Sequence, residues 1–282
     1  MSETLIPNWQ TLGGDLANEA VPPPFDDTLD MTQPLKLYWS PGCSSCLRAK
    51  EFLAKRGVVY QSVNVIEDQA GFQELARIGV KRIPIAARGK HWADGQVLTD
   101  LARIAGVEAA HELRLSPAEL IARGDRVLEA VIAMVGRLPQ EQYEAYMLGH
   151  THSNRQLASH IIEIYRIFLE YVEDGCRFEF VAQLRDAPPD TKTPADMQRH
   201  GQDVRAQFAG WSQRHGATAD YTAKADVYYG DVNLHHFLER TIWHSAHHTR
   251  QLQRLVADLG LPMAGALTAP DLAGLPLPEK EN

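Results

Sequence analysis

The feature that most constrains the fold is a change of period near residue 110. Ahead of it, short apolar runs alternate with helical stripes. Behind it, from residue 115 to 260, every apolar stripe steps by three and four. Four segments carry that second pattern. SPAELIARGDRVLEAVIAMVGRL opens with Ser116 as N-cap, Pro117 at the first helical position and Glu119 to close a capping box. NRQLASHIIEIYRIFLEYVEDG runs to Gly175, and NLHHFLERTIWHSAHHTRQLQRLVADLG runs to Gly260. Between them, TPADMQRHGQDVRAQFAGWSQRHG sets Met197, Val204, Phe208 and Trp211 on one face. Four amphipathic helices, with the longer connections after the first and third, predict a four-helix bundle over 111–260.

Residues 35–110 read differently. LKLYW is a strand, the helix SCLRAKEFLAKRG closes at Gly57 with Leu47, Phe52 and Leu53 inward, and VVYQSVNV alternates as a strand. AGFQELARIG is a second helix, PIAAR and KHW are short strands about Gly89, and VLTDLARIAG is a last helix. The order βαβαββα predicts a small α/β sheet domain with helices on both faces. Residues 1–34, with VPPPFDDT and TQP, read as an extended arm, and 261–282 as an irregular tail.

Charge and cysteine usage narrow the function classes. The net charge of −8 argues against nucleic-acid binding and against an anionic membrane surface, both of which need surplus Lys and Arg. The start MSETLIPNWQ lacks the basic flank and apolar core of a signal peptide, and no apolar run is long enough to span a bilayer. Three cysteines make no secreted-type disulfide framework, so a reducing cytoplasm is expected. The distribution is uneven. Residues 35–107 hold 11 Lys plus Arg against 6 Asp plus Glu, and 11 of the 12 histidines follow residue 110. Each half has its own chemistry.

In the first half that chemistry is PGCSSC, residues 41–46. A Cys-x-x-Cys is a redox pair, half a zinc site or core filling. A closed zinc site wants four ligands, and residues 35–107 offer only His91 beyond the pair. A strand precedes the pair and a helix starts at it. Cys43 therefore sits at a helix N-terminus, where unpaired amides and the helix dipole favour a thiolate, and Arg48 and Lys50 add positive charge. Cys46 is placed to resolve a mixed disulfide formed on Cys43.

LYWSPGCSSCLRAKEFLAKRGVVYQSVNV, followed by RIP, resembles a glutaredoxin of the thioredoxin fold. The resemblance implies that Pro84 is the cis proline beside the catalytic cysteine. It also implies that Ile83 pairs its backbone with the cysteinyl peptide of glutathione or a similar small thiol. Asp94-Gly95 stands where the family has a Gly-Gly that seats the γ-glutamyl end. The central dipeptide is Ser44-Ser45 in place of the usual Pro-Tyr. The local charge of +5 suits an anionic thiol peptide.

The histidines of the second half follow the stripes. Phe237, Thr241, His244, His248, Leu252, Leu255 and Leu259 step by three and four, which puts His244 and His248 on the core face of the last helix. His236, Arg240, His247, Gln251 and Arg254 form the neighbouring polar face. On the second helix, His160 falls inside the stripe Leu157, Ile161, Ile164, Phe168. Three inward imidazoles with no shared partner would cost several kcal/mol. A His₃ metal site with an open fourth position accounts for them, with zinc the first expectation and nickel or iron the alternatives. His150 and His152 precede the second helix as loop residues, and Cys176 reads as a buried or idle thiol.

One histidine on the second helix and H-x3-H on the last is similar to the DinB-like family, which includes thiol-dependent transferases that use mycothiol or bacillithiol. The resemblance spans 115–260 and implies a four-helix bundle holding a divalent metal on His160, His244 and His248. Together the two resemblances imply a metal-dependent thiol transferase with a fused dithiol domain, acting on a small-molecule thiol and an electrophilic small molecule. Two other readings stand beside it: a metal-binding redox sensor or interaction module, and a glutaredoxin-type reductase with a helical appendage. A homodimer through the bundle is a further expectation.

Overall fold

The computed structural model describes residues 29–109, 114–146 and 152–280. Most of the expected arm over 1–34, and His150, lie outside the described residues. The chain divides into two compact units, residues 29–109 with 278–280 and residues 114–277.

In the first unit the elements are β1 (Lys36–Trp39), α1 (Ser44–Lys55), β2 (Gln61–Asn64), α2 (Gln69–Arg77), β3 (Ile85–Arg88), β4 (His91–Asp94) and α3 (Leu98–Ala105). They form a mixed sheet of order β2-β1-β3-β4, parallel between β1 and β2 and antiparallel across the other two pairs. This is the thioredoxin-like order. Side chains alternate across the strands and build two cores. Leu37 and Ala86 pack with Phe52 and Leu53 of α1 and Leu101 and Ile104 of α3. Tyr38, Ile85 and Ala87 pack on the other face with Phe72 and Leu75 of α2.

Two local expectations change. The alternating run from Val58 to Val65 forms a ladder only over Gln61–Asn64, because β1, its partner, is four residues long. Leu47 is only half-buried, and Cys46 and Ala49 take the inward positions of α1 beside Phe52 and Leu53.

The second unit carries α4 (Pro117–Val135), α5 (Gln140–Glu144), α6 (Asn154–Asp174), α7 (Pro194–His215), α8 (Leu234–Asp258) and the short α9 (Ala269–Leu272). The long helices begin where their caps dictate. Ser116, Ser153 and Thr193 each close a capping box with the third helical residue, and Asn233 caps α8 through the amide of His236. Gly175 ends α6 at φ 68°, a left-handed conformation that glycine adopts without a Cβ penalty. Both α7 and α8 pack against α4 and α6, which makes a four-helix arrangement. At its centre the Phe168 ring meets Phe208, Trp211 and Phe237 edge-on. Gly201 lets α7 close on α4, for a Cβ there would stand 2.8 Å from Ile132 Cγ1.

The connections differ from the sequence reading. All three between the long helices are substantial, and the middle one holds a 3₁₀ turn at Phe180–Leu184. Just ahead of α8, β5 (Lys224–Ala225) pairs with β6 (Val232–Asn233). Strands of two residues are too short to carry a period, so the sequence gives no sign of them.

Candidate metal and thiol sites

α6 and α8 carry three imidazoles to one point. His160 lies in the second turn of α6, and His244 and His248 are one turn apart on α8. The Nε2 atoms of His160 and His244 stand 2.9 Å apart. One ring nitrogen from each of His160, His244 and His248 falls within 4.8 Å of the others. Tetrahedral zinc with bonds of ~2.0–2.1 Å spaces its nitrogen ligands by roughly 3.3 Å, and this spread suits it. Among the described residues this is the one such cluster of three or more His, Cys, Asp or Glu.

The surroundings keep two of these rings neutral. Burial is the first cause that holds His160 and His244 well below the ordinary imidazole value, followed for each by the charge of His248. The Arg240 guanidinium adds to both, and His152, an exposed residue ahead of α6, adds to His160. A neutral ring offers its lone pair without first losing a proton. The outer ring nitrogens are engaged as well. His248 Nδ1 lies 2.7 Å from Gln251 Oε1, a carboxamide oxygen that can only accept, so Nδ1 carries the proton and Nε2 the lone pair. The backbone of Gln183, in the 3₁₀ turn, hydrogen-bonds His160.

These contacts fix tautomer and ring orientation, so they set affinity. The variant Gln251→Leu is expected to bind a divalent metal ~10–100-fold more weakly than the parent, read by competition with a chromophoric chelator. Unchanged affinity would show that Gln251 does not orient His248.

The polar face expected on α8 requires correction. Arg240 is 2 % exposed, His247 0 % and Gln251 5 %, while Arg254 is exposed and His236 half-buried. The cause, for Arg240, lies in the connections. Phe178, Tyr228 and Tyr229 surround its guanidinium, which donates to Tyr228 Oη and Gln183 Oε1. Stripe analysis sees only helix against helix, so it leaves such a covering out.

His247 is the unusual member. Among the described residues neither of its ring nitrogens has a hydrogen-bond partner, and burial, then the charges of His248 and Arg250, pushes its pKa down to about 3. An unfolded imidazole titrates near 6.5. Below pH 6.5 the unfolded chain gains a proton that native His247 refuses, so stability falls with acid by about 1.4 kcal/mol per pH unit, down to about pH 3. Above 6.5 the ring is neutral in both states and adds no slope. His160 and His244 act in the same direction in the metal-free chain. Urea midpoints of metal-free His247→Leu should therefore fall less steeply with acid, by about one proton's worth; an unaltered slope would refute this account.

In the first unit Cys43 and Cys46 are joined as a disulfide with Cα atoms 5.2 Å apart. Cys43 is the N-cap of α1, its Sγ accepts from the Cys46 amide at 3.1 Å, and the first turn holds no acidic residue. Cys46 is 1 % exposed and Cys43 half-buried. The Lys50 ammonium lies over the Trp39 ring, and burial lowers its pKa to about 8. The Ile83–Pro84 peptide is cis, and Ile83 is half-buried.

Gly95 donates to the Pro84 carbonyl at 2.8 Å, and a Cβ on Gly95 would meet the proline ring at 3.0 Å. Asp94 faces inward. It is 1 % exposed, pairs with Arg82 at 2.9 Å and accepts the Gln96 amide with its other oxygen. Its carboxylate is thus occupied within the protein. Cys176 is a free, exposed thiol.

No helix among the described residues is long and apolar enough to cross a membrane. Residues 35–92 match the family model for glutaredoxin, and 119–271, more than half of the chain, match that of the DinB family. No curated protein matches the chain.

Proposed function

The chain belongs to the DinB family and carries a glutaredoxin domain ahead of the helical one, and from that premise we propose that it is a metal-dependent thiol transferase with its own dithiol domain. The observation that carries this reading is the convergence of three buried or half-buried imidazoles from two helices. His160, His244 and His248 would hold a divalent metal, zinc in the first instance and nickel or iron otherwise. Three protein ligands suit a catalytic rather than a closed structural site. Such a metal, when bound, supplies a Lewis acid that makes a thiol a nucleophile at neutral pH. Glutathione or a similar low-molecular-weight thiol is the cosubstrate of this reading, and an electrophilic small molecule its acceptor.

The protein's own groups do the rest. Gln251 and the Gln183 backbone hold His248 and His160 in orientation, and burial with the Arg240 charge keeps His160 and His244 unprotonated. In the dithiol domain the Cys43 thiolate attacks a mixed disulfide R–S–S–G and releases the thiol RSH. Cys46 then attacks the Cys43–glutathione disulfide, releasing glutathione and leaving the Cys43–Cys46 disulfide. Two further glutathiones return it to the dithiol and leave as glutathione disulfide.

Two assays on the full chain test the pairing: glutathione conjugation to an activated aryl halide, and reduction of a glutathione mixed disulfide. His160→Ala should lose the first and keep the second, and Cys43→Ser the reverse. If neither substitution alters either turnover, the reading is wrong.

A further inference from the structure

A buried arginine–carboxylate pair is weak evidence for stability, since apolar replacements of similar volume are often as stable or more so. The pair Arg82–Asp94, 2 % and 1 % exposed, therefore calls for another account. Its placement provides one. Arg82 stands two residues before cis Pro84, and Asp94 immediately before Gly95, whose amide is held by the Pro84 carbonyl. The second oxygen of Asp94 accepts the Gln96 amide at 2.9 Å. Gln96 then reaches α1 twice. Its Oε1 accepts from Ser45 Oγ at 3.4 Å, and its carbonyl from Arg48 Nη1 at 3.4 Å. Ser45 lies between the two cysteines, and Gln96 and Ser45 are themselves 3 % and 5 % exposed.

We propose that Arg82 and Asp94 are positioning residues for the Cys43–Cys46 site, setting its redox equilibrium through Gln96. The inference rests on the dithiol reading given above. The pair locks the proline loop to the Gly95–Gln96 turn. That turn fixes the first turn of α1 and holds the Arg48 cation in place. Both favour the Cys43 thiolate, through the aligned amides and through a fixed positive charge. A stabilised thiolate favours the reduced form, so loosening the network raises the Cys43 pKa and shifts the equilibrium toward the disulfide.

The experiment uses the full chain in a Cys176→Ser background, so that the free exposed thiol does not titrate. The dithiol–disulfide pair is equilibrated with reduced and oxidised glutathione, and the Cys43 thiolate is followed by its ultraviolet absorbance against pH. The double variant Arg82→Met/Asp94→Leu, which replaces the pair by apolar groups, should favour the disulfide by about 5-fold or more and raise the thiolate titration. Gln96→Leu leaves the ion pair in place and should move both readouts the same way by less. Arg88→Met, at another buried arginine, one that donates to the carbonyls of Met31, Gln33 and Ile104, should move neither.

A folded double variant within twofold of the parent in both readouts overturns the proposal. If the double variant does not fold, an unchanged Gln96→Leu overturns it instead. If the parent pair does not exchange with glutathione at all, the dithiol reading itself fails and takes the proposal with it.

Discussion

Alanine at His160, His244 or His248 is expected to strip the protein of stoichiometric metal, with affinity falling at least ~100-fold, or about 2.8 kcal/mol. Each imidazole would supply one of the three ligands that the described residues bring together, whose donor atoms lie within 4.8 Å of one another. Losing a ligand is a larger change than losing an outer contact such as Gln251, which is worth ~10–100-fold. His247→Gln, one residue from His248, should keep its metal, because that ring is not in the cluster. Elemental analysis of purified protein reads the result directly.

A second readout follows by linkage. A metal present at about 1,000 times its Kd stabilises the native state by about 4 kcal/mol. A chelator should therefore lower the melting temperature of the parent and leave that of His160→Ala unmoved. Full metal content in all three alanine variants would mean that the triad is not the binding site.

The other large effect concerns the cysteines. Cys43→Ser should lower glutathione-linked disulfide reduction by more than ~100-fold, because the attacking sulfur is gone. Cys46→Ser should instead accumulate a chain carrying one glutathionyl group on Cys43, visible as a discrete mass increment. The asymmetry has a structural basis. Cys43 is half-buried at the helix N-terminus, while Cys46 is 1 % exposed beneath it. An incoming disulfide meets Cys43 first, and Cys46 can reach only the intermediate. A glutathione adduct on Cys46 in the Cys43→Ser variant, with none on Cys43 in the reverse variant, would invert these roles.

Much of the architecture was legible before any coordinates. Ser116, Pro117 and Glu119 announced where the first long helix starts, and both hydrogen bonds of the box are present. The stripe of Met197, Val204, Phe208 and Trp211 is buried throughout. The alternation of LKLYW and PIAAR likewise sends Leu37 and Ala86 to one core and Tyr38 and Ile85 to the other. These features are local. Capping, period and turn chemistry are written over three to seven neighbouring residues, and packing follows them.

What escaped the sequence lay wherever one segment covers another far away along the chain. Gln251 was within reach, as the residue three positions after His248 on one helix. Gln183 was not, because a connection between helices has no period to say where it will lie. Arg240 and His247 read as surface because a stripe divides a helix into two faces. Phe178, Tyr228 and Tyr229, drawn from the connections, bury Arg240 on what would have been its wet side. Asp94 read as a ligand contact, and only the fold placed Arg82 against it.

By itself, then, the sequence determined the longer elements, their order, and the three histidines that share inward faces. Tertiary structure alone decided which polar side chains lose their water and which partner each one finds. Burial and long-range hydrogen bonding are properties of the packed chain, and no window of neighbouring residues contains them.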